Sequence, residues 1–380
     1  MSTTSFTPAE VFPPGDFIRE ELEARGWSQV DLAEILGRPP RLISELIAGK
    51  RSVTPETAKG LSLAFGTSPE LWMNLESSYQ LSKVKPDGRS VARRAKLYEK
   101  VPVKDLIRRG WIQHSANVEV LEHQICSFLG IRTIDEEPSV LASARKSDAN
   151  DGWSGGQLAW LMRVKQLAQK IPAPSYSKAK LSVALTALGR LHRTVDEVDG
   201  VPEVLSNSGV RCVIVEHLPG TKIDGACLWL EGNHPVIGLS FRYDRIDWFW
   251  FTLMHELGHL LHEDGRAVGA TLDVELVGSV AHTSAGKPKA ERLADLFAMD
   301  ALISQRTLDA FIAKTGNQYS KSAIVQGAEK CGVHPGILVG QLQHRGCVPY
   351  SHFRSHLVKV RERLARTTVT DGWDVVRTNE

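Results

Sequence analysis

The chain has 380 residues, of which 42% are hydrophobic and 24% are charged. This is the composition of a globular protein, and it excludes a wholly disordered chain, a collagen and a coiled-coil rod. The 46 Lys and Arg residues nearly balance the 44 Asp and Glu residues, so the net charge of +2 provides no global attraction to a polyanion. At roughly 100 to 200 residues per domain, the length predicts two or three domains.

The cysteines and the apolar segments of the chain indicate in which cellular compartment the protein is expected. The five cysteines are scattered and form no CxxC pair, which argues against a disulfide framework and against a thiolate metal site. The first residues lack the basic and apolar regions of a signal peptide. The best apolar run, Trp248 to Leu261, is shorter than the roughly 20 residues that a membrane span needs, and it contains His255, Glu256 and His259. We therefore expect a cytoplasmic protein that does not bind membranes.

Residues 14 to 76 predict five short helices in succession. Ser28 and Asp31 have the spacing of a capping box at the start of the second helix. Thr54-Pro55 and Ser68-Pro69 each place a capping residue before an N1 proline, and so begin the fourth and fifth helices. The pattern is that of a small all-α domain.

The middle of the chain begins with a basic stretch. Between residues 83 and 109, ten Lys and Arg residues oppose three Asp and Glu residues, a local balance of +7. The segment KVKPDGRS at its start is typical of a linker. Helical apolar spacing then recurs in four segments, 117–129, 157–170, 178–193 and 201–208.

The periodicity changes at Gly209. VRCVIVEH, GACLWLEG and PVIGLSF are short runs of β-branched and aromatic residues bounded by turn signals, and they predict three strands of a small antiparallel sheet. A helix is expected from about Asp247, followed by a loop-rich stretch to Gly286. A second helix is expected from Lys287 to Ile303, and two or three more helices complete the chain.

The segment from His255 to His259 is an HExxH motif on the first of these helices. Residues i and i+4 lie on one helix face, so both imidazoles can reach one Zn²⁺ while Glu256 takes a proton from water. Glu291 and Asp295 have the same spacing on the next helix. We predict Glu291 as the third metal ligand and Asp295 as the acceptor of an N–H from a ligating histidine.

Neighbouring side chains provide weaker alternatives. The spacing of His262 from His259 predicts a packed or capping histidine. Three acidic residues after the helix are alternative metal ligands: Glu263, Asp264 and Glu275. A peptidase also needs a group that stabilises an oxyanion. Three residues are candidates, each of which also fits a surface role: Tyr243, His282 and His334.

Residues 209 to 303 resemble an ImmA/IrrE-type metallopeptidase domain, through the three strands, HELGHLLH and the following ExxADxFAxxxLI. The resemblance implies Zn²⁺ as cofactor, Glu256 as catalytic base and three zinc ligands, His255, His259 and Glu291. Asp295 stands where that family often has Asn, and either residue can form a hydrogen bond to a ligand. Members of the family cleave or inactivate repressor proteins, so the implied substrate is a protein of that kind.

Residues 14 to 75 resemble the helix-turn-helix of HigA-type antitoxins and other Cro/repressor-like regulators, through SQVDLAEILG and LISELIAGKR. The resemblance places four residues around the start of the recognition helix: Gln29, Arg38, Arg41 and Ser44. Lys50 and Arg51 extend this basic cluster, and the implied partner is operator DNA.

Two features of the same region favour a protein-interaction bundle instead. Pro39-Pro40 replaces the polar residues that are usual at the start of the recognition helix. Residues 1 to 77 contain 11 Asp and Glu residues against 7 Lys and Arg residues, which disfavours non-specific attraction to phosphates.

The expected protein is mainly α with a small α+β domain. We predict four segments: a helix-turn-helix domain at 1–80, a basic linker and helical connecting region at 81–208, a zincin-like domain at 209–305 and a helical extension at 306–380. A homodimer is expected, because helix-turn-helix proteins commonly read two half-sites.

The predicted function is that of a DNA-binding transcriptional regulator with a zinc-dependent endopeptidase site that cleaves a specific regulatory protein. The alternative is a HigA-like antitoxin and autorepressor that neutralises a cognate toxin, with the peptidase-like domain as a binding or sensing module. A purely structural zinc site is disfavoured, since such sites have four protein ligands and the sequence offers no clear fourth.

Overall fold

A computed structural model of the protein describes residues 11–83, 88–138, 153–231, 233–264, 270–276, 287–316 and 318–372. The chain divides into two compact units, Met1–Val91 and Ala92–Glu380. The four predicted segments stay predictions, and residues 84–87 of the predicted linker lie outside the described residues. In the described part of the chain, no helix combines the length and the apolarity needed to cross a membrane.

The N-terminal unit contains the five predicted helices, and local signals explain where they begin. The capping box is confirmed: Ser28 Oγ accepts a hydrogen bond from the Asp31 backbone N–H, and the Asp31 carboxylate accepts one from the Ser28 N–H. Thr54 Oγ1 likewise accepts from Thr57 N–H. The helices are α1 Pro14–Arg25, α2 Gln29–Leu36, α3 Pro40–Ile47, α4 Pro55–Phe65 and α5 Pro69–Lys83.

The second unit is also rich in helices, and the predicted helices occur where the apolar spacing placed them. The helix that carries the HExxH motif is α12, and the helix that carries Glu291 and Asp295 is α13. The described helices after residue 87 are α6 Gly88–Lys100, α7 Val103–Arg108, α8 Val118–Leu129, α9 Gly155–Ala168, α10 Lys178–Leu191, α11 Val201–Asn207, α12 Ile246–Leu261, α13 Lys289–Leu302, α14 Gln305–Thr315, α15 Lys321–Cys331, α16 Pro335–His344 and α17 Arg361–Thr367.

The sheet of the second unit is mixed, so the prediction of an antiparallel sheet is wrong. Within the described residues it has five strands, β1 Arg211–Ile214, β2 Ile223–Leu230, β3 His234–Leu239, β4 Ala270–Val274 and β5 Val369–Thr370, in the order β4-β2-β3-β1-β5. β2 and β3 form the expected antiparallel pair. β1 does not pair with β2; it lies beside β3 and runs parallel to both β3 and β5.

Apolar side chains cover both faces of the central strands. Cys212 and Ile214 of β1 pack into a cluster that includes α12, whereas Val213 packs into a cluster formed with α8 and α9. Burial on both faces explains why these strands read as continuous apolar runs. The sheet therefore supports α12 from behind, and β4 forms the edge beyond β2.

Candidate metal centre and nucleic-acid interface

Helix α12 carries polar residues into the interior of the second unit. His255, Glu256 and His259 are each 0% exposed to solvent. Gly258 allows α13 to approach closely, since a Cβ atom at this position would lie only 3.1 Å from the Ala294 Cα. This close contact places the Glu291 side of α13 against the HExxH motif.

Four side chains converge there: His255, His259, Asp273 and Glu291. The two Nε2 atoms are 3.0 Å apart, and Glu291 carboxylate oxygens lie 3.4 Å from His255 Nε2 and 3.6 Å from His259 Nε2. A tetrahedral metal at about 2.0 to 2.2 Å from nitrogen and oxygen donors needs those donors roughly 3.3 to 3.6 Å apart. The two distances from Glu291 fall in this range, and the two imidazole nitrogens would have to separate by a few tenths of an ångström to hold a zinc-sized ion.

The outer nitrogens of both histidines face carboxylates. Asp295 Oδ1 lies 3.0 Å from His255 Nδ1, and Asp264 Oδ2 lies 3.0 Å from His259 Nδ1. The contact with Asp264 is a hydrogen bond that keeps the proton on His259 Nδ1 and leaves Nε2 as the metal-binding atom, whereas the contact between Asp295 and His255 has the distance of an ion pair without hydrogen-bond geometry. Asp264, an alternative ligand in the sequence, thus lies on the outer side of His259. Lys287 Nζ contacts Asp295 at 2.8 Å.

The donor set fits a divalent cation. Two Nε2 lone pairs that face each other across 3.0 Å repel unless a proton or a metal lies between them. Several carboxylates surround the two histidines, and one ammonium group, that of Lys287, contacts one of them, Asp295. With neutral histidines, the site therefore has a net negative charge. Zinc takes nitrogen and oxygen donors of this kind.

The pKa values describe the site without metal. Burial lowers the pKa of His259, but hydrogen bonds to Asp264 and Glu291 outweigh burial and raise it to about 10. Burial also lowers the pKa of His255, and the charge of Asp273 with its neighbouring carboxylates raises it well above the usual value. Burial raises the pKa of Glu291, yet hydrogen bonds from both histidines leave it lowered. Metal binding must displace the protons that the histidines then hold.

Glu256 lies beside the ligands in a closed space. Burial, with the charge of Asp273, raises the pKa of its carboxyl group well above the usual value. Gly225 on β2 makes room for it, because a Cβ atom at this position would overlap Glu256 Oε1. Neither carboxylate oxygen has a hydrogen-bond partner among the described residues.

Asp273 and Gly225 were missed by the sequence analysis. Asp273 lies on β4, in a stretch expected to be loop-rich. The one feature of the sequence that could have indicated Asp273 is a single Asp within the strand-like run ATLDV. The sequence predicts Gly225 only as part of a strand, and no neighbouring residue in the chain indicates that it lies against Glu256 of α12.

The remaining candidates have other contacts. His262 ends α12, and its Nδ1 lies 2.8 Å from the Gly258 carbonyl oxygen, as expected for a capping histidine. Glu263 is exposed in the turn that follows. Glu275 pairs with Lys222 at 2.8 Å.

The oxyanion candidates lie outside the four-residue cluster or outside the described residues. His334 Nδ1 accepts the Gly336 N–H and caps α16. Tyr243 is 40% exposed, and its ring centroid lies 3.8 Å from that of Trp248. His282 lies outside the described residues.

In the N-terminal unit, the predicted DNA-binding residues are exposed. Gln29 begins α2, Arg38 lies between α2 and α3, and Arg41 and Ser44 lie on α3. Pro39 is the N-cap of α3 and Pro40 its first residue, so the prolines that replace polar residues also set the start of this helix. Lys50 and Arg51 follow α3 and are exposed as well.

Acidic residues partly neutralise this surface. Glu45 contacts Arg41 at 2.8 Å and Arg51 at 3.1 Å, and Arg38 pairs with Glu56. The hydrogen bond from Arg41, with the contact from Arg51, outweighs burial and lowers the pKa of Glu45. At neutral pH, Glu45 therefore competes with any phosphate for two arginines.

A family model described as Helix-turn-helix matches residues 18–72. The chain is 37% identical over 70 residues to YddM, an uncharacterized HTH-type transcriptional regulator of Escherichia coli, and covers 74% of that protein but 18% of its own length. The chain belongs to the helix-turn-helix family. The matched residues include all of α2, α3 and α4, and α3 follows the turn as the second helix of the motif.

Other relatives match the same helix-turn-helix domain. Virulence-associated protein I of Dichelobacter nodosus is 34% identical over 79 residues, which make up 20% of this chain and 73% of that protein. A solved addiction module antidote protein of a HigA family from Coxiella burnetii is 37% identical, covers 18% of this chain and 77% of its own, and superposes with a TM-score of 0.18.

Proposed function

We propose that this helix-turn-helix regulator binds operator DNA through α3 and its flanking residues, and that its second unit is a zinc-dependent endopeptidase. The observation that supports the enzyme is the convergence of two buried imidazoles and Glu291 beside a buried glutamate. Isolated buried charges are costly, and a divalent cation would compensate the carboxylates of this cluster when the histidines are neutral.

His255, His259 and Glu291 would hold the zinc ion, which as a Lewis acid polarises a carbonyl group and acidifies water. Glu256 takes the proton of the attacking water and returns it to the leaving amine. Asp295 and Asp264 keep the imidazoles oriented through their Nδ1 atoms.

The substrate that we propose is a repressor-type regulatory protein, as the ImmA/IrrE resemblance implies. The test compares cells that express the wild-type chain with cells that express Glu256→Gln, by mass spectrometry of newly formed protein N-termini. We expect a small set of N-termini that depend on wild type and disappear in the variant. Glu256→Gln should keep its zinc, so loss of cleavage reports on the base alone. Equal sets of N-termini in both would contradict the enzyme.

The DNA-binding proposal is testable through the acidic partner of the arginines. Glu45→Gln removes the competition for Arg41 and Arg51, so we expect the full chain to bind a duplex selected from a random library several-fold more tightly. Glu20→Gln on α1 is the control for lost negative charge. An equal gain in DNA affinity in both variants would mean that the change in net charge, and not the release of Arg41 and Arg51, causes the tighter binding. Chain mass in solution, with and without DNA, tests the proposed homodimer.

The second candidate is an antitoxin and autorepressor with a cognate toxin as partner. The observation in its favour is that the helix-turn-helix domain shares 37% of its residues with an antidote protein of a HigA family. Here the buried cluster serves binding or sensing, and hydrolysis is not required. Rescue of cells from a neighbouring small toxin by Glu256→Gln, as fully as by wild type, would favour this function.

A further inference from the structure

Asp273 reaches the metal site through the register in which β4 pairs with β2. β2 and β4 pair Ile223 with Val274 and then Gly225 with Asp273, so that Asp224 is an extra residue in β2. Residues opposite each other on paired strands share a face of the sheet. The Gly225 face is turned towards Glu256, so Asp273, which lies opposite Gly225, faces the HExxH motif as well.

The position of Asp273 is that of a ligand. Its Oδ1 lies 3.6 Å from His255 Nε2, and its Oδ2 lies 3.6 Å from His259 Nε2, the same separation as between Glu291 and His259. Asp273 is only 4% exposed, so its charge has little access to water. The Oδ2 atom has no hydrogen-bond partner among the described residues.

Ligand number separates two kinds of zinc site. Catalytic sites have three protein ligands and an open fourth position, whereas closed sites have four protein ligands. We propose that Asp273 is a fourth protein ligand of the metal and that the site as folded is closed. This inference rests on the proposed metal site and adds that the endopeptidase is latent in this conformation.

Edge strand β4 provides a way to open the site. Among the described strands it pairs with β2 alone. Beyond its end, the Leu276 N–H donates to Asp224 Oδ2 at 2.7 Å, and Asp224 also contacts Arg242 at 3.2 Å. A shift of β4 away from α12 would withdraw Asp273 and leave the two histidines and Glu291 in place, because these lie on other elements.

The test uses the full chain loaded with Co²⁺, whose visible absorption reports on coordination, and azide as a small exogenous ligand. Azide should leave the wild-type spectrum unchanged, because no position is open. In Asp273→Ala, azide should change the spectrum, and competition with a chelator should show at least tenfold weaker Co²⁺ binding. Removal of a buried acid leaves no uncompensated charge, so the variant is expected to fold.

Glu275→Gln is the matched control on the same stretch of chain, since Glu275 faces Lys222 rather than the cluster. It should behave as wild type, and an azide response in this variant would overturn the assignment to the Asp273 carboxylate. A wild-type spectrum that responds to azide as strongly as Asp273→Ala would overturn the fourth ligand and leave the metal site standing. Failure of wild type to bind Co²⁺ would overturn the metal site itself.

Discussion

The two units of this protein present their candidate functional residues in opposite ways. The Arg41 side chain on α3 is 88% exposed, whereas His255 and His259 on α12 are fully buried. A charged side chain at the surface needs no partner, so its position alone says little about its role. A buried polar group requires compensation, and its partners then indicate the ligand. In the second unit, burial therefore indicates which residues are functional. In the first unit, the match to the helix-turn-helix family indicates them instead.

We expect the largest difference between the two units in the cost of adding a methyl group to a glycine. Gly225→Ala places a methyl group against Glu256 in the closed interior, and we expect it to lower the free energy of unfolding by about 3 kcal/mol. Gly26→Ala lies at a helix end with open space around it and φ of 67°, so only backbone strain of about 1 kcal/mol is expected. Denaturant titrations of the full chain measure both, and equal losses would contradict the tight contact at Gly225.

Asp224 gives the buried region a pH dependence. Burial raises its pKa to about 6, above the ordinary value of 3.8 in an unfolded chain. The folded protein therefore binds more protons between these values, and stability falls by roughly 2 to 3 kcal/mol as the pH rises from about 4 to 6. Asp224→Asn should remove this part of the pH dependence. Parallel stability curves for wild type and variant across the window would contradict the raised pKa.

Loss of an outer contact should weaken the metal site without abolishing it. Asp295→Ala removes the carboxylate beside His255 Nδ1, and we expect metal affinity to fall about 10-fold to 100-fold. Competition with a fluorescent chelator measures the change. An unchanged affinity would mean that Asp295 does not orient the ligand.

The smallest effect is expected at the exposed surface. Arg41→Ala should reduce the slope of log affinity for DNA against log salt concentration by about 1, as for the loss of one phosphate contact. Arg19→Ala is the control, because Arg19 is an exposed arginine on α1 that pairs with Asp16. If both variants give the same slope as wild type, Arg41 does not contact phosphate.

Local signals made the helices predictable from sequence. Ser28, Asp31 and Thr54 define helix starts through contacts within four residues, so their spacing alone was sufficient. The HExxH motif and the Glu291–Asp295 pair were also readable, because each lies within one helix turn. From the sequence, it was only an expectation that the two helices bring these residues together. The close packing of α12 against α13 at Gly258 explains how they meet.

Long-range pairing accounts for what was missed. β4 pairs with β2 across a separation of more than forty residues, and neither strand carries a signal of the other. Asp273 could not be assigned without that register. The direction of β1 was mispredicted for the same reason, since it depends on which strand lies beside it and not on its own sequence.

The central claim is that the buried cluster binds one metal ion through His255, His259 and Glu291. Elemental analysis of the purified full chain, beside His259→Ala and Glu291→Ala, tests it most directly. We predict about one zinc per wild-type chain and loss of the metal in both variants, whose folding is checked by circular dichroism. A carefully prepared wild-type protein that neither contains nor takes up zinc would contradict the metal centre, and would leave the helix-turn-helix regulator without an enzymatic domain.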